Sequence, residues 1–269
     1  MRNIILLSWM TFKDSIRNKA LYGIFFLGVL GFVANIIVTG MFSWELGKVA
    51  VDVGLSVISL SGLVIIFFFS IQMVSNDLER KTIYLILSKP ISKPQYILGK
   101  FLGLATIVLI SSAVLGVCAF FSVKLSVLNV EAYIPVLFNW PTFFLGIVYQ
   151  TVGLLIVLSI AFLCISVTTH PFTAMILCMT SYFIGENVER VINIMVRNKT
   201  FIDNPALYKA AKTISWVFPN LAAFDLKTTA AYGLPLNATY LFWTGIYGIT
   251  YASLCLIGTI IIFQRRELG

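Results

Sequence analysis

The sequence predicts an all-α integral membrane protein with six transmembrane helices and an N-terminal amphipathic helix. Hydrophobic residues make up 59% of the 269 positions and charged residues only 11%, whereas an ordinary soluble domain carries about 25% charged residues. The mean hydropathy is +0.96. Several apolar runs also reach the roughly 20 residues that a helix needs to cross the hydrocarbon core, where helices satisfy their own backbone hydrogen bonds.

The first element is a short apolar stretch within MRNIILLSWMTFKDSIRNK. It has no small-residue cleavage site and is followed by Lys13, Arg17 and Lys19, so we expect an amphipathic helix on the membrane rather than a cleaved signal. Six predicted spans follow, at residues 20–39, 53–74, 101–121, 143–168, 171–191 and 240–263.

The fifth predicted span ends in polar residues, among them Glu186 and Arg190. These two can sit at the membrane interface as a pair one helical turn apart. The alternative is an intramembrane Glu186 that acts on a substrate, because ionisable residues inside spans are usually functional.

The distribution of Lys and Arg predicts the orientation. With the N-terminus inside, most basic residues fall on the inner side, and the short outer loops hold only Lys48 and Lys124. We therefore expect both termini to be cytoplasmic and the chain to lie in the bacterial cytoplasmic (inner) membrane. The net charge of +8 then indicates anionic lipid, not nucleic acid, as the partner of the basic residues.

One long segment, residues 192–237, is expected on the outer side before the last span. It is too long for a simple connection in a compact bundle, so it should carry structure of its own. Its piece ISWVFPNLAAF is too short and too broken to span, which favours a re-entrant or interfacial hairpin. We find no linker between soluble domains, so residues 1–269 are read as a single transmembrane domain.

Enzymatic chemistry is not indicated. The single histidine, His170, cannot supply a haem or zinc site, which both need several converging ligands. The nearest match to a phosphate-binding loop is Gly99-Lys100, and Phe101 follows it where Ser or Thr is required. We therefore expect no catalytic residue, no metal and no cofactor in this chain, and any ATP would be hydrolysed by another chain.

Residues 76–97 combine charges, two prolines and an apolar run outside the spans. Asn76 and Glu79 form a capping-box pattern, and Ser92 and Gln95 form a second one. Pro90 breaks the chain between them. Beyond this segment, Gly99 and Gly103 are spaced for close helix contact. A helix, a break and a helix joined to two spans are typical of mechanical coupling to a soluble partner, although the lysines alone could serve only to orient the protein.

The stretch DLERKTIYLILSKPISKPQYILGKFLG, residues 77–103, resembles the cytoplasmic loop of ABC-2 type ABC transporter permeases. The resemblance rests on Asp77, Glu79, Arg80, Thr82, Leu85, Leu87, Ser88, Pro90, Ile91, Ser92, Lys93, Gly99 and Lys100. Many members carry Gly where Lys81 stands here. The later piece WVFPNLAAFD is similar to the branch that includes permeases of nitrous oxide reductase maturation systems.

The resemblance implies an ABC-2 (type V exporter-like) permease fold and a defined set of partners. Two permease copies would assemble with two cytoplasmic ABC ATPase subunits, which bind ATP and Mg, and an extracytoplasmic accessory protein could join them. The implied ATPase contact comprises Asp77, Glu79, Arg80, Lys81, Thr82, Leu85, Ser88 and Pro90. The implied path between the second and fifth spans comprises Ser56, Ser59, Ser70, Thr173, Thr180 and Ser181.

Two other functions remain open from the residues. An ion-gradient secondary transporter would need membrane-embedded carboxylates or broken helices at mid-depth. A non-transporting anchor of a maturation complex would need neither. The residues name no substrate.

Overall fold

The computed structural model describes residues 2–41, 46–79, 91–128, 139–168, 170–197 and 205–265. These residues form helices and their connections, without a strand among them. The α-helices are α1 (Arg2–Ile16), α2 (Lys19–Met41), α3 (Leu46–Val64), α4 (Ile71–Glu79), α5 (Lys93–Leu128), α6 (Trp140–Val167), α7 (Pro171–Arg197), α8 (Pro205–Val217), α9 (Lys227–Tyr232) and α10 (Ala238–Arg265). A π-helix, Ile65–Ser70, joins α3 to α4, and a short 3-10 turn, Ala222–Phe224, lies between α8 and α9.

Five stretches of the described chain are long and apolar enough to cross a membrane: Lys19–Thr39, Gly47–Asp77, Lys93–Leu125, Trp140–Val167 and Ala238–Arg265. Each contains all or nearly all of one predicted span, so five of the six predicted spans are helices long and apolar enough to cross a membrane. The other prediction, residues 171–191, forms the first part of α7, a helix of 27 residues. Its polar second half keeps it outside this set, so its crossing stays a prediction.

The second span is longer than its apolar core. The α3, π-helical and α4 stretches follow one another from Leu46 to Glu79 without a break. The predicted helix start at Asn76 is therefore wrong, because Asn76 lies inside α4. No proline or glycine interrupts residues 63–79, so the helix of the span continues past its apolar part.

The start of α5 agrees with its local sequence signals. The backbone N–H of Ser92 donates to Gln95 Oε1 at 3.3 Å, which is one of the two bonds of the predicted second capping box. Pro94 lies in the first turn, where its missing N–H costs nothing. From there α5 runs for 36 residues and includes the whole third predicted span.

The N-terminal helix α1 packs along the first turns of α5. A Cβ atom placed on Gly99 would lie 2.6 Å from Leu7 Cβ, and one placed on Gly103 would lie 2.6 Å from Thr11 Cβ. Both distances are far below van der Waals contact. The predicted role of the two glycines in close helix contact is thus confirmed, and the helix they admit is α1.

A buried asparagine joins three spans near the end of the bundle opposite α1. Asn35 on α2 is fully buried, and its Nδ2 donates to the Ala50 carbonyl of α3 and to Ser122 Oγ of α5, both at 3.1 Å. Thr39 Oγ1 donates to Asn35 Oδ1 at 3.2 Å. The amide therefore has partners for both its nitrogen and its oxygen.

Replacing Asn35 with alanine is expected to lower the free energy of unfolding by about 1–2 kcal/mol, because interhelical hydrogen bonds in membranes contribute roughly 0.6–1 kcal/mol each. Equilibrium unfolding of the purified protein in mixed micelles measures this. Asn187→Ala is the control, since Asn187 is exposed and bonds only to Phe183 of its own helix among its described hydrogen bonds. Equal losses in the two variants would contradict the role of Asn35.

Candidate functional site: the Asp77 cluster, the Phe68 clefts and the polar chamber

A polar contact at the α1 end of the bundle joins the end of the second span to the start of the third. Asp77 on α4 accepts from two residues of α5. Lys100 Nζ lies 2.6 Å from Asp77 Oδ2, and Tyr96 Oη donates to the same oxygen at 2.9 Å. We call Asp77, Tyr96 and Lys100 the Asp77 cluster.

The Asp77 cluster is largely removed from solvent. The Lys100 side chain is 8% exposed and that of Asp77 23%, and Tyr96 is among the largest fully buried side chains. A buried lysine needs a paired carboxylate, because an unpaired buried charge costs several kcal/mol. The cluster therefore fixes the position of α4 against α5.

Two open clefts flank Phe68 of the π-helix at the same end of the bundle. One, of about 590 Å³, lies between the π-helix and the start of α7 and includes Thr173 and His170. The other, of about 520 Å³, lies between α2 and α4 and includes Asn18 and Asn76. Phe68 is 53% exposed and borders both. We call them the Phe68 clefts; their rims carry amides and their walls carry Phe67, Phe69 and Phe172.

The π-helix itself is regular within its six residues. The N–H of Ile71 donates to the Ile66 carbonyl, and Ser70 Oγ donates to the Ile65 carbonyl at 3.2 Å. The first is the backbone bond from residue i+5 to residue i that defines a π-helix. The second is a side-chain bond that also spans five residues. Such stretches are rare and are frequent at functional sites.

A small polar chamber lies nearer the opposite end, between the second span, α6, α7 and the segment before α9. Its volume is about 20 Å³, enough for one water molecule. Its polar lining residues are Ser59, Gln150, Tyr182, Glu186, Asp225 and Lys227.

The groups of the polar chamber are paired with one another. Gln150 Nε2 donates to Ser59 Oγ at 3.0 Å. Asp225 forms an ion pair with Lys227 at 3.6 Å, and Glu186 forms one with Arg190 at the same distance. The predicted Glu186–Arg190 pair is thus confirmed. The lining itself holds two acids, Glu186 and Asp225, and one base, Lys227, and the partner of Glu186 is Arg190, which lies outside the chamber and is 61% exposed.

The segment that closes this chamber confirms that residues 192–237 carry structure of their own. The Leu221 N–H donates to the Gly185 carbonyl of α7 at 3.1 Å. The Asn220 N–H donates to Tyr247 Oη at 3.0 Å, and Tyr251 Oη donates to the Val217 carbonyl at 3.0 Å. Tyr251 lies roughly 20 Å along α10 from its start, at 1.5 Å per residue. The chain at 217–221 therefore enters the bundle, as the re-entrant alternative predicted.

The predicted path residues fall in different surroundings. Thr173 lines one Phe68 cleft, and Thr180 is also exposed. Ser59 lines the polar chamber, whereas Ser70 is turned into the protein. Ser56 and Ser181 are partly buried. Within one chain, the structure does not bring these six residues into a single channel.

The predicted ATPase-contact residues are described only in part. Asp77 belongs to the cluster above, and Glu79 is the last residue of α4. The remaining ones lie outside the described residues: Arg80, Lys81, Thr82, Leu85, Ser88 and Pro90.

Sequence reasoning missed the partners of Asp77. Tyr96 and Lys100 are one turn apart on α5, so they share a helix face, and this spacing was the available signal. The spacing indicates that Tyr96 and Lys100 can contact the same partner, but it does not indicate which helix carries that partner. Asp225 and Lys227 were missed for the same reason, because their relation to Glu186 depends on how the chain re-enters the bundle.

Comparison with known families assigns nearly the whole chain to one family. A search of curated proteins found no match. The sequence matches the family described as "ABC-2 family transporter protein" over residues 5–268. That match covers nearly the full chain, including α1, the Asp77 cluster, the re-entrant segment and α10. The chain, a multi-pass membrane protein, belongs to the ABC-2 transporter family.

Proposed function

We propose that this chain is the transmembrane subunit of an ATP-binding cassette transporter of the bacterial inner membrane. It converts ATP hydrolysis by a separate subunit into export of a substrate. Members of the ABC-2 permease family are transmembrane subunits and are not themselves catalytic. Two copies of the chain and two ATPase subunits would form the transporter.

One observation carries this proposal: the helices on both sides of residues 80–92 are continuous with the second and third spans. Residues 80–92 begin directly where α4 ends, at Glu79, and lead into α5 at Lys93. The helices on both sides belong to candidate spans. A soluble partner that displaces the ends of these two helices would therefore move two spans. The packing of α1 on Gly99 and Gly103 adds a third helix to the moving unit.

The Phe68 clefts and the polar chamber support alternating access. One cleft, of about 590 Å³, opens between the π-helix and the start of α7 at the α1 end, beside the places where α7 packs against the π-helix and α4. The polar chamber nearer the other end holds only about 20 Å³. We infer that the α1 end, where the larger opening lies, is cytoplasmic and that this arrangement is the inward-facing one.

A secondary transporter is the second candidate, and the polar chamber is the observation that favours it. The chamber places Glu186 and Asp225 beside a re-entrant segment, as ion-coupled transport would need. Each carboxylate already has a basic partner, however, so an ion would have to displace one. The family match and the joined helices favour the ATP-driven reading. A membrane anchor without transport, and the nitrous oxide reductase branch, stay predictions of the sequence.

The double variant Glu79→Ala/Arg80→Ala tests the coupling role. It is expected to weaken binding of the ATPase subunit about tenfold or more, because charged anchor residues of an interface cost about 2 kcal/mol or more when truncated. Copurification from membranes, quantified by mass spectrometry, measures the bound ATPase.

The matched control is Asp52→Ala/Lys124→Ala, which removes one acid and one base near the opposite end of the bundle. Both residues are exposed. Undiminished capture and transport by the Glu79/Arg80 variant would reject the proposal. If the unaltered protein captures no ATPase subunit and instead moves substrate with an ion gradient, the second candidate is correct.

A further inference from the structure

The Asp77 cluster extends to the last helix of the bundle. The Tyr96 ring stacks on Phe263 of α10, with centroids 6.4 Å apart. Lys93 Nζ donates to the Gln264 carbonyl of α10 at 3.3 Å. The start of α5 is therefore held to the end of α10 as well as to the end of α4.

The N-terminal helix holds the same unit from another side. Ser15 of α1 is fully buried, and its Oγ, which donates to the Thr11 carbonyl of its own helix at 2.7 Å, lies 3.4 Å from Met73 Sδ of α4. Since α1 also packs on Gly99 and Gly103 of α5, it contacts both helices that the Asp77 cluster joins.

These contacts turn the Asp77 side chain toward its own protein. The Asp77 carboxylate oxygen Oδ2 is taken by Lys100 and Tyr96 of the same chain. The resemblance implied that Asp77 would contact the ATPase subunit, but a carboxylate used in this way points toward α5. Asp77 would then contribute to coupling by joining α4 to α5 of its own chain, not by contacting the ATPase subunit.

We infer that Asp77 is a positioning residue that acts through Lys100 and Tyr96 to make the ends of α4 and α5 move as one body. This inference rests on the proposed function. When a partner displaces residues 80–92, a rigid pair of helix ends transmits the displacement to both spans. If the ends are free to slide, the segment moves and the spans do not follow.

The test uses the complete complex of permease and ATPase subunits in lipid nanodiscs. The double variant Asp77→Asn/Lys100→Met removes the ion pair without leaving a buried lysine unpaired. Asp52→Asn, an exposed acid at the other end of the same span, is the control. A cysteine in place of exposed Gln72, in a background with the four native cysteines replaced by alanine, reports the state of the Phe68 clefts by its rate of maleimide labelling.

In the parent complex, a non-hydrolysable ATP analogue is expected to change the labelling rate about fivefold or more, the low end of typical coupling between sites. In the double variant the analogue should leave the rate unchanged, while the amount of bound ATPase subunit and its ATP hydrolysis persist. Such a loss of response with intact binding is not what a general loss of stability produces. Asp52→Asn should respond like the parent.

Two results overturn the inference. One is a double variant that still responds to nucleotide, and the other is a double variant that loses the ATPase subunit, because Asp77 would then be a docking residue. If the double variant does not accumulate, Tyr96→Phe decides, since it keeps the ring on Phe263 and removes only the bond to Asp77. A reduced response supports the inference, and an unaltered one rejects it. A parent complex without a bound ATPase subunit rejects the proposed function instead.

Discussion

Replacing Gly103 with alanine is expected to lower the free energy of unfolding by about 2–3 kcal/mol, the upper range for overpacking a well-packed site. The added Cβ would lie 2.6 Å from Thr11 Cβ and 2.8 Å from the Ser8 carbonyl oxygen. The Ser8 oxygen belongs to helix backbone and cannot rotate away, so α1 must move as a whole. Equilibrium unfolding in mixed micelles gives the loss, and faster proteolysis of the N-terminus shows that α1 has come away from α5.

Gly23→Ala is the control for this prediction. Gly23 is also helical, on α2, but an added Cβ would have nothing within 4 Å. The variant should retain parental stability and parental proteolysis. If both glycine variants behave alike, the close packing of α1 on α5 is not what Gly103 provides.

Replacing Gly185 with alanine is expected to release the re-entrant segment, at a cost of about 3 kcal/mol, again at the top of the overpacking range. The new Cβ would lie 2.6 Å from the Pro219 carbonyl oxygen and 3.1 Å from Leu221 Cδ1. The segment can retreat only by giving up the bond from the Leu221 N–H to the Gly185 carbonyl. Stability and the maleimide labelling of a cysteine at Leu221, which is 4% exposed, report the release.

The matched variant for Gly185 is Gly245→Ala on α10. There the nearest atom to an added Cβ is Tyr149 Oη at 3.8 Å, an ordinary contact. Labelling at Leu221 should rise in the Gly185 variant and not in the Gly245 variant. Slow labelling in both would show that residues 219–221 are held by something other than their approach to α7.

Signals confined to one helix were read correctly in two cases out of three. The Ser92–Gln95 contact and the pair Glu186–Arg190 depend only on residues three or four apart, and both are present. The capping pattern of Asn76 and Glu79 did not mark a helix start, because Asn76 lies inside α4. Span limits were less accurate because hydropathy reports the apolar part of a helix. The third span was predicted at 101–121, whereas α5 begins at Lys93 and ends at Leu128. The helix continues through its polar ends because no proline follows Pro94 within α5 to interrupt it.

Contacts between helices could not be derived in the same way. The Asp77 cluster depends on how far α4 is rotated about its axis and where it lies along α5. Neither the rotation of α4 nor its position along α5 can be derived from the composition or periodicity of one helix. The polar chamber is a stronger case, since Ser59 meets Gln150 of a helix that begins far along the chain. Gly99 and Gly103 were identified from the sequence as sites of close helix approach, but α1 as the helix that approaches them was not.

The π-helix at Ile65–Ser70 sets the angular phase between the two halves of the second span. Each residue of an α-helix turns the chain by about 100° and advances it 1.5 Å, and a π-helical turn accommodates one residue more than an α-helical turn. Loss of one residue within the π-helix can be absorbed by conversion of that turn to an α-helical one, so Asp77 would still face Lys100. Loss of one residue within α4 before Asp77 has no such outlet and would turn Asp77 away from Lys100 by about that angle, while the half of the span where Leu55 and Ile58 are buried kept its packing. The second span therefore tolerates a single-residue change in length at the π-helix, but the same change a few residues later would disconnect the Asp77 cluster.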